Sequence, residues 1–469
     1  MSKEHWVTNT INNIIYSVPT GVNNYRGKKK YYSTGSIQTS KHVEEGEYLF
    51  DEKPSRANRI ALSNDVFQAR MKNTNKPILI DKSLEGCLFS TGFLQLRPFG
   101  ATYNSKLLYY YIQSKDFITQ KDDLTTGSTQ EALTDANAVN LEFPLPPLNE
   151  QKRIVEKLDT ILPKVKTVKA RLEKIPPILK KFRQSVIMCA FNGELTSDWR
   201  DNINKETGQS LLELIVRVRT QRKRTEEINQ QNVQLDLPDT WIITNIDSIS
   251  DEVVDCPHST PKWSKTGKLC LRTNNFLANK LNLNEKRFVD KVVFNQRTSR
   301  LKPKQGDILY SREGGILGIA CILNIEEDVC LGQRMMLFRV NKNINNKYIC
   351  YFMNSPIINN HVNMLTGGSA APHINVGDIK EYPIPFPPFN EQNEIVHRIE
   401  KLFALADSLE AKYKKAMVSI EKIEQAVLAK AFRGELIEAD PDDEPAEELL
   451  KKIIAEKEKD KVKIYKKKR

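Results

Sequence analysis

One block of about fifty residues occurs twice in this chain, and this internal repeat limits the possible folds more than any other feature. The first copy begins with LPPLNEQ at 145–151 and ends with AFNGEL at 190–195. The second begins with FPPFNEQ at 386–392 and ends with AFRGEL at 431–436. The offset is 241 at both ends (387 − 146 and 434 − 193), so the copies have equal length. Because surface loops tolerate insertions, equal length predicts an element whose length matters to the fold.

Inside each copy, apolar residues recur at alternating steps of four and three. This spacing predicts a long coiled-coil helix, in which ~40 helical residues would reach roughly 60 Å. The alternative is an amphipathic helix that packs on a globular core. The predicted packing positions, called the seam below, are Ile154, Leu158, Ile161, Val165, Val168, Leu172, Ile175, Leu179, Phe182 and Val186 in the first copy, and Ile395, Ile399, Leu402, Ala406, Leu409, Tyr413, Ala416, Ile420, Ile423 and Val427 in the second.

Prolines predict a difference between the two helices. Proline has no backbone N–H, and its ring clashes with the preceding helical turn. The sequence therefore predicts a kink near Pro163 and a break at 175–177, where two prolines follow Ile175. The second copy has no proline between Phe389 and Ala439 and is expected to be straighter.

The chain is long enough for at least two globular domains, because 469 residues exceed one ordinary core. No apolar run reaches the ~18 residues that span a bilayer, and the start, MSKEHW, lacks the apolar core of a signal peptide. Seven cysteines without a CxxC pair favour reduced thiols and a cytoplasmic protein. A zinc site is disfavoured because Cys256 and His258 are the only close Cys/His pair, and structural zinc needs four ligands.

The segments before the two helices, 1–143 and 235–385, both have short strand-like runs separated by turn residues. They therefore predict two mixed domains of strands and helices. The offset of 241 continues into the ends of both segments. Further upstream, GEYLF at 46–50 matches GDILY at 306–310 best, at an offset of 260.

The stretch after each helix is also repeated. SLLELI at 210–215 resembles ELLKKI at 448–453, at an offset of 238. The first of these stretches leads into the second domain, whereas the other lies in the C-terminal tail. The repeat therefore predicts that the tail packs on the first domain, close to the start of the chain.

A search for catalytic motifs finds none with the required spacing. Residues 21–29 have one residue too many between the glycines for a phosphate-binding loop, and a lysine stands where the hydroxyl is needed. No GxGxxG follows a predicted strand, and the six histidines form no Ser-His-Asp or HExxH arrangement. The Pro-Pro pairs that open the repeats lack the preceding Asn or Asp of an amino-methyltransferase. The sequence therefore predicts a protein without its own catalytic centre.

Basic residues interleaved with aromatic residues favour binding to nucleic acid. The net charge of +12 permits a polyanionic partner. Arginine can pair with guanine and asparagine with adenine, while lysine mostly neutralises phosphate. For any single residue, a solvated surface charge is the simpler interpretation. The predicted DNA-binding residues are Arg26, Lys28, Lys29, Lys30, Arg56, Arg59, Arg70 and Ser128 in the first domain, and Lys262, Trp263, Arg272, Asn274, Asn275, Arg297, Arg312, Arg334 and Ser369 in the second.

The Pro-Pro-x-Asn-Glu-Gln start, the heptad helix and the Ala-Phe-x-Gly-Glu-Leu end resemble the conserved regions of the specificity subunits of type I restriction-modification enzymes. The order of variable domain and helix, repeated twice, is also similar. The resemblance implies an α/β fold with two target-recognition domains and two long helices that form an antiparallel coiled coil. The implied organisation is recognition domain 1 at 1–143, central helical spacer at 144–196, linker helix at 197–234, recognition domain 2 at 235–385, C-terminal spacer at 386–437 and tail helix at 438–469.

The resemblance also implies a function. Each recognition domain would read one half of a bipartite site in double-stranded DNA. Two modification subunits would carry S-adenosylmethionine and methylate adenine, and two restriction subunits would use ATP and Mg²⁺. This chain would hold no cofactor and no metal of its own.

Two other functions are compatible with the residues alone. The first is a coiled-coil scaffold that recruits protein partners without sequence-specific DNA binding. The second is an enzyme whose active site has no recognised motif. Sequence-specific, salt-dependent DNA binding separates the main hypothesis from the first alternative. Methylation by the isolated chain would favour the second.

Overall fold

The computed structural model describes residues 5–37, 44–99, 101–127, 131–201, 207–220, 236–366 and 372–467. The chain divides into two compact units. The first unit comprises Met1–Glu173 and Lys414–Arg469, and the second comprises Lys174–Tyr413. Both contain sheets and helices, so the predicted mixed α/β class with an internal repeat is confirmed. The predicted domain boundaries stay predictions, and part of the proposed linker lies outside the described residues.

The first unit has short strands joined by turns and followed by a long helix. Its strands β1 to β12 are Val7–Thr10, Ile15–Ser17, Lys29–Tyr32, Gly46–Tyr48, Ala57–Ile60, Val66–Ala69, Ile78–Leu79, Leu88–Ser90, Phe93–Pro98, Thr125–Thr126, Ala132–Leu133 and Glu142–Leu145. Its helices α1 to α5 are Ile11–Ile14, Ser105–Tyr111, Lys115–Asp123, Asp135–Ala138 and Leu148–Leu172.

The second unit begins within the first helical block. Helices α6 to α8 are Ile175–Phe191, Ser197–Arg200 and Gly208–Thr220. Strands β13 to β23 are Ile242–Asn245, Ser250–Asp255, Lys268–Leu271, Phe276–Leu277, Lys280–Leu281, Phe288–Val289, Ile308–Ser311, Ala320–Ile322, Val329–Leu331, Met335–Val340 and Pro383–Phe386. Helices α9 to α13 are Ile246–Ile249, Lys291–Arg297, Asn346–Met353, Pro356–Thr366 and Val376–Lys380. Helix α14, Phe389–Phe432, begins in the second unit and ends in the first, and α15, Ala446–Lys467, belongs to the first unit.

The two units repeat the same sheet topology. A four-stranded sheet has the order β2-β9-β6-β7 in the first unit and β14-β22-β19-β20 in the second. The strand that precedes each helical block pairs antiparallel with the first strand of its domain, as β1 with β12 and β13 with β23.

The matched strands β6 and β19 show that the structural counterpart of 306–310 is 64–68, at an offset of 242. The match to 46–50 is therefore wrong, because those residues belong to the other sheet.

The glutamine of the Asn-Glu-Gln motif explains how each helical block joins its domain. The side chain of Gln151 donates to the carbonyl of Pro146 at 3.0 Å and accepts from the backbone N–H of Asn104 at 2.8 Å. Gln392 makes the equivalent bonds to Pro387 and Asn345, both at 3.0 Å. Both glutamines are fully buried. The amide therefore ties the strand end to the N-terminus of another helix, which requires both a donor and an acceptor.

The glutamate before each glutamine anchors a tryptophan. Trp6 donates its Nε1–H to Glu150 at 3.0 Å, and Trp241 donates to Glu391 at 2.9 Å. All four side chains are nearly fully buried. In the sequence the region around Trp6 matches the region around Trp241 poorly, although each tryptophan stands immediately before the first strand of its domain.

The first helical block is broken, as its prolines predict. Helix α5 ends at Leu172, and α6 begins at Ile175 with Pro176 and Pro177 in its first turn. Proline is tolerated there because the first N–H groups of a helix have no partner within the helix. Pro163 lies within α5 and does not interrupt it. The second block forms one unbroken helix of 44 residues.

Burial along the seam is concentrated where the helices meet a globular core. Ile154 and Leu158 share the core of the first unit with Leu428 and Phe432 from the end of α14. Ile395 and Ile399 belong to the core of the second unit with Val186. Leu179 and Ile420 are buried; Ile161, Leu172, Phe182, Leu402 and Tyr413 are partly buried.

Three seam residues are exposed, contrary to the prediction of packing within the chain. The exposed fractions are 44% for Val168, 43% for Leu409 and 49% for Ile423. Val168 lies near the end of α5 and Leu409 near the middle of α14, while Ile423 lies between the buried Ile420 and the partly buried Val427, so the exposed positions alternate with packed ones. The apolar residues repeat every 3.5 positions, whereas a straight α-helix has 3.6 residues per turn. The seam therefore shifts gradually around a straight helix and does not stay on one face.

Within the second unit the two helical blocks are antiparallel. Arg183 on α6 contacts Asp407 at 2.7 Å and Glu410 at 3.1 Å on α14. Further along the chain, Asp198 accepts from Arg398, which lies earlier on α14, at 2.6 Å. Residue numbers therefore rise along one block while those of its partners fall along the other.

The tail packs on the first domain, as the repeat predicts. Leu449 and Ile453 of α15 are buried in the same core as Ile11 and Ile14. In the second unit, Leu212 and Ile215 of α8 join the core that contains Trp241 and Ile246. Helix α15 therefore has the role in the first unit that α8 has in the second.

Candidate nucleic-acid interface

The basic segment of the first domain lies on β3 and the loop before it. Arg26 and Lys28 are exposed to solvent. Lys29 is partly buried: its ammonium donates to the carbonyl of Gly86 at 3.0 Å and lies 5.3 Å from the ring centroid of Tyr25. Arg26 and Lys28 are therefore accessible to a polyanion, whereas Lys29 also stabilises the fold.

Two further predicted residues of the first domain lie at the surface. Lys30 forms an exposed ion pair with Glu44 at 2.8 Å, and the hydrogen bond to that carboxylate raises the pKa of the ammonium. Exposed pairs contribute little to stability, so this lysine can exchange Glu44 for phosphate at little cost. Arg56 is also exposed.

Arg59 and Arg70 are interior residues, contrary to the expectation that they face DNA. Arg59 is 1% exposed and donates to the carbonyl of Val18 at 2.7 Å. Burial lowers the pKa of Arg59 to about 10, and the neighbouring charge of Arg70 acts in the same direction. Arg70 donates to the carbonyl of Phe93 at 3.0 Å and pairs with Asp135. These guanidinium groups hold strands and loops together, because their planar donors can bind several acceptors at once.

Asn275 and Arg297 of the second domain are also structural, contrary to expectation. The Asn275 side chain donates to two carbonyls on the segment 282–285, at 2.9 and 3.0 Å. Arg297 is 8% exposed and donates to the carbonyls of Leu331 and Gly332, at 3.1 and 2.9 Å. A buried polar group must find such partners, and these bonds leave both side chains directed inward.

Arg312 is a third structural residue of the second domain. It is 5% exposed and forms a bidentate ion pair with Asp255, at 2.9 and 3.0 Å. It also pairs with Glu313 at 2.8 Å. Burial opposes its charge, but the bonds to Asp255 outweigh this effect and raise the pKa of the guanidinium. The expectation that Arg312 faces DNA is not met, since its donors are occupied by carboxylates.

Four predicted residues of the second domain meet at one recess of about 120 Å³. They are Trp263, Arg272, Asn274 and Arg334, and they come from three loops distant in sequence. Lys262, next to Trp263, is exposed. Guanidinium and amide groups around an indole ring can hydrogen-bond a base edge and pack against its ring. This recess, called the basic recess below, is the candidate DNA-reading surface.

A repeated Asp-x₄-Arg motif was missed by the sequence reasoning. Asp65 forms a bidentate pair with Arg97, at 2.6 and 2.7 Å, and Asp307 forms the same pair with Arg339, both at 2.8 Å. Both aspartates are nearly fully buried. The arginine that ends each motif is buried too, as Arg70 and Arg312. The signal was DVFQAR at 65–70 and DILYSR at 307–312, at an offset of 242.

Two predicted residues, Ser128 and Ser369, lie outside the described residues. Among the side chains that the structure does describe, no group of three His, Cys, Asp or Glu residues is close enough to hold a metal ion. In the same part of the chain, no helix is both long and apolar enough to cross a membrane.

Comparison with known proteins identifies one family. The model of the type I restriction modification DNA specificity domain matches residues 7–176 and 254–417. The specificity subunit of the type I restriction enzyme EcoKI of Escherichia coli K12 is 31% identical over 385 residues, which cover 79% of this chain and 75% of that protein. The EcoBI specificity subunit of Escherichia coli is 30% identical over 369 residues, covering 76% of this chain and 72% of that protein.

Two solved structures share the fold. One chain, from a type I R-M system studied for its assembly and conformational transition, superposes with a TM-score of 0.67, at 20% identity, over 93% of this chain and all of the other. The HsdS subunit from Thermoanaerobacter tengcongensis gives a TM-score of 0.54, also at 20% identity, over 92% of this chain and 98% of that one. At this identity the likeness concerns the fold alone.

Proposed function

Since the chain belongs to the family of type I restriction-modification DNA specificity subunits, we propose that its two domains each read one half of a bipartite, asymmetric DNA site. One observation carries this proposal: the two domains share a buried frame but differ in their exposed side chains. The tryptophan–glutamate, glutamine–proline and aspartate–arginine contacts recur in both domains. A common frame with different surface residues is suited to reading two different sequences.

Phosphate contacts and base contacts are expected to come from different residues. Exposed lysines such as Lys28 and Lys262 can neutralise phosphates and position the domain on the duplex. The residues of the basic recess are suited to base edges. The chain assembles with the other subunits of the restriction-modification system, and we propose that these are two modification and two restriction subunits.

The chemistry is assigned to those partners. S-adenosylmethionine would be bound by the modification subunits, which methylate adenine, and ATP and Mg²⁺ by the restriction subunits. The chain itself is proposed to be non-catalytic, because its sequence holds none of the catalytic motifs in the required spacing. The family assignment favours this function over a scaffold that binds no specific DNA.

Mapping methylated adenines tests the proposal directly. DNA from cells with and without this gene is compared, and a bipartite motif with a fixed gap is expected only with the gene. Replacing residues 1–143 by the equivalent domain of another family member is expected to change one half-site. A change in both halves, or in neither, would contradict the assignment of one half-site to each domain.

The helical blocks are proposed to act as the spacer between the two reading domains. Four residues inserted into α14 add ~6 Å and about one turn of helix. Insertion into the exposed middle of this helix, near Val418, is expected to change the length of the unread gap. An insertion in the exposed loop at 440–442 is the control, because it leaves both helices intact. Methylation at an unchanged gap by the α14 variant would refute the spacer role.

A further inference from the structure

Arg334 lines the basic recess, and the end of its side chain lies beside Gly314 at the edge of this recess. Arg334 is exposed, and within the described part of the chain its guanidinium makes no hydrogen bond and no ion pair. The glycine turn beside it leaves room for the side chain, since a Cβ on Gly314 would come 3.3 Å from Nη1 of Arg334. An arginine held at a recess with its donors unused is available for a ligand with paired acceptors.

Three other polar side chains of the basic recess have partners within the protein. Arg272 pairs with Glu285 at 3.1 Å, and the amide oxygen of Gln333 accepts from the hydroxyl of Thr260 at 3.1 Å. The Trp263 ring lies 5.2 Å from the guanidinium carbon of an arginine outside the recess. Arg272 therefore has a carboxylate partner in the structure, whereas Arg334 has none among the described residues.

The first domain shows that the side chain of Arg334 is not needed for the fold. The carbonyl of Arg334 accepts from the backbone N–H of Arg312 at 3.0 Å. In the first domain, the carbonyl of Gly92 accepts from the equivalent Arg70 at 2.9 Å. The same backbone bond therefore holds residue 334 and residue 92, at the offset of 242 shared by the surrounding strands. One domain has an arginine side chain at this place and the other has none.

The backbone of Arg334 also argues for a role of its side chain. Its φ is +71°, in the left-handed region that favours glycine. Glycine would adopt this conformation without strain, so the arginine is present despite an unfavourable backbone. Such strained residues cluster at ligand-binding sites.

We infer that Arg334 is a specificity-determining residue of the second domain and that it reads a guanine. Its guanidinium would donate two parallel hydrogen bonds to N7 and O6 of one guanine in the major groove. Guanine presents two acceptors on this edge, whereas adenine presents one acceptor and one donor, which an arginine cannot satisfy. The inference rests on the proposed function, because it assumes that the second domain reads a half-site.

The variant R334G tests this inference without disturbing the fold. It removes the side chain and relieves the left-handed backbone, so its melting temperature is expected to equal or exceed that of the unaltered chain. The complex with the modification subunits is measured for binding to duplexes in which each base pair of the mapped site is replaced in turn. One G·C pair in the second half-site is expected to lose its preference by roughly 10- to 100-fold. Every other position is expected to keep its preference.

Lys262 provides the matched control, because it is an exposed cation beside the same recess. K262A is expected to weaken binding to all duplexes alike and to reduce the dependence of log K on log salt by about one. The inference is overturned if R334G behaves like K262A, keeps all base preferences, or loses preference at an A·T pair. A parent complex with no sequence preference would refute the proposed function itself, and with it this inference.

Discussion

Replacing Glu391 by glutamine tests the physical account of the motif that opens the second helical block. The carboxylate is 1% exposed and accepts three hydrogen bonds. Its donors are Trp241 Nε1 at 2.9 Å, the hydroxyl of Thr196 at 2.7 Å, and the guanidinium of Arg200. Glutamine is nearly the same size, but it has one acceptor oxygen and directs an NH₂ group at a donor.

The free-energy cost of E391Q depends on Arg200, which loses its carboxylate partner. The side chain of Arg200 is only 17% exposed, so without Glu391 it is a largely buried charge without its counter-ion. Breaking a buried pair in this way costs about 3–5 kcal/mol, and the residual exposure places the expected value near the lower end, at about 3 kcal/mol. Among the described residues, the equivalent Glu150 pairs with no arginine: its partners are Trp6 and the partly exposed His5. We therefore expect E150Q to cost only about 1.5 kcal/mol, the lower end of the range for a hydrogen bond to a charged group.

Amide hydrogen exchange can separate the two effects, because each variant acts on its own domain. In E391Q, the backbone amide hydrogens of the paired strands at 242–245 and 383–386 are expected to exchange with solvent roughly 100-fold faster. In E150Q, the strands at 7–10 and 142–145 should change less, by about 10-fold. Equal effects in the two variants, or no effect of E391Q, would refute the argument from the unpaired arginine.

Two further predictions concern the exits of the helical blocks. G193A is expected to destabilise the second unit by at least ~2 kcal/mol, because φ is +85° and a Cβ would lie 2.4 Å from Pro238. Thermal unfolding measures this loss of stability. The control is G315A, which should leave stability unchanged because a Cβ at that position has open space. Deletion of 446–469 removes three buried apolar residues of α15 and should cost the first unit on the order of 5 kcal/mol of stability, which faster proteolysis of that unit would show. Deletion of 458–469 alone should have little effect, and equal resistance of both truncated chains would contradict the role of α15.

Much of the architecture follows from the sequence because it depends on local patterns. The repeat at 241, the heptads and the absence of proline predict the 44-residue helix α14. The proline pair predicts the break after Leu172, since it acts through the backbone of the adjacent turn. The position of α15 also follows, because the same apolar pattern occurs before the second domain. These features need no knowledge of contacts between distant residues.

The tertiary structure alone decides which arginines can meet DNA. Arg70, Arg312 and Arg334 look alike in a sequence, and charge and composition do not distinguish them. The first two are buried because strands far apart in the chain supply carbonyls and carboxylates for their donors. Arg334 stays exposed because it lies on a turn at the edge of a recess that three separate loops form. The sequence by itself determined the repeated frame, whereas the folded structure separated the buried arginines that hold the frame from exposed arginines such as Arg334, whose side chains are accessible to a ligand.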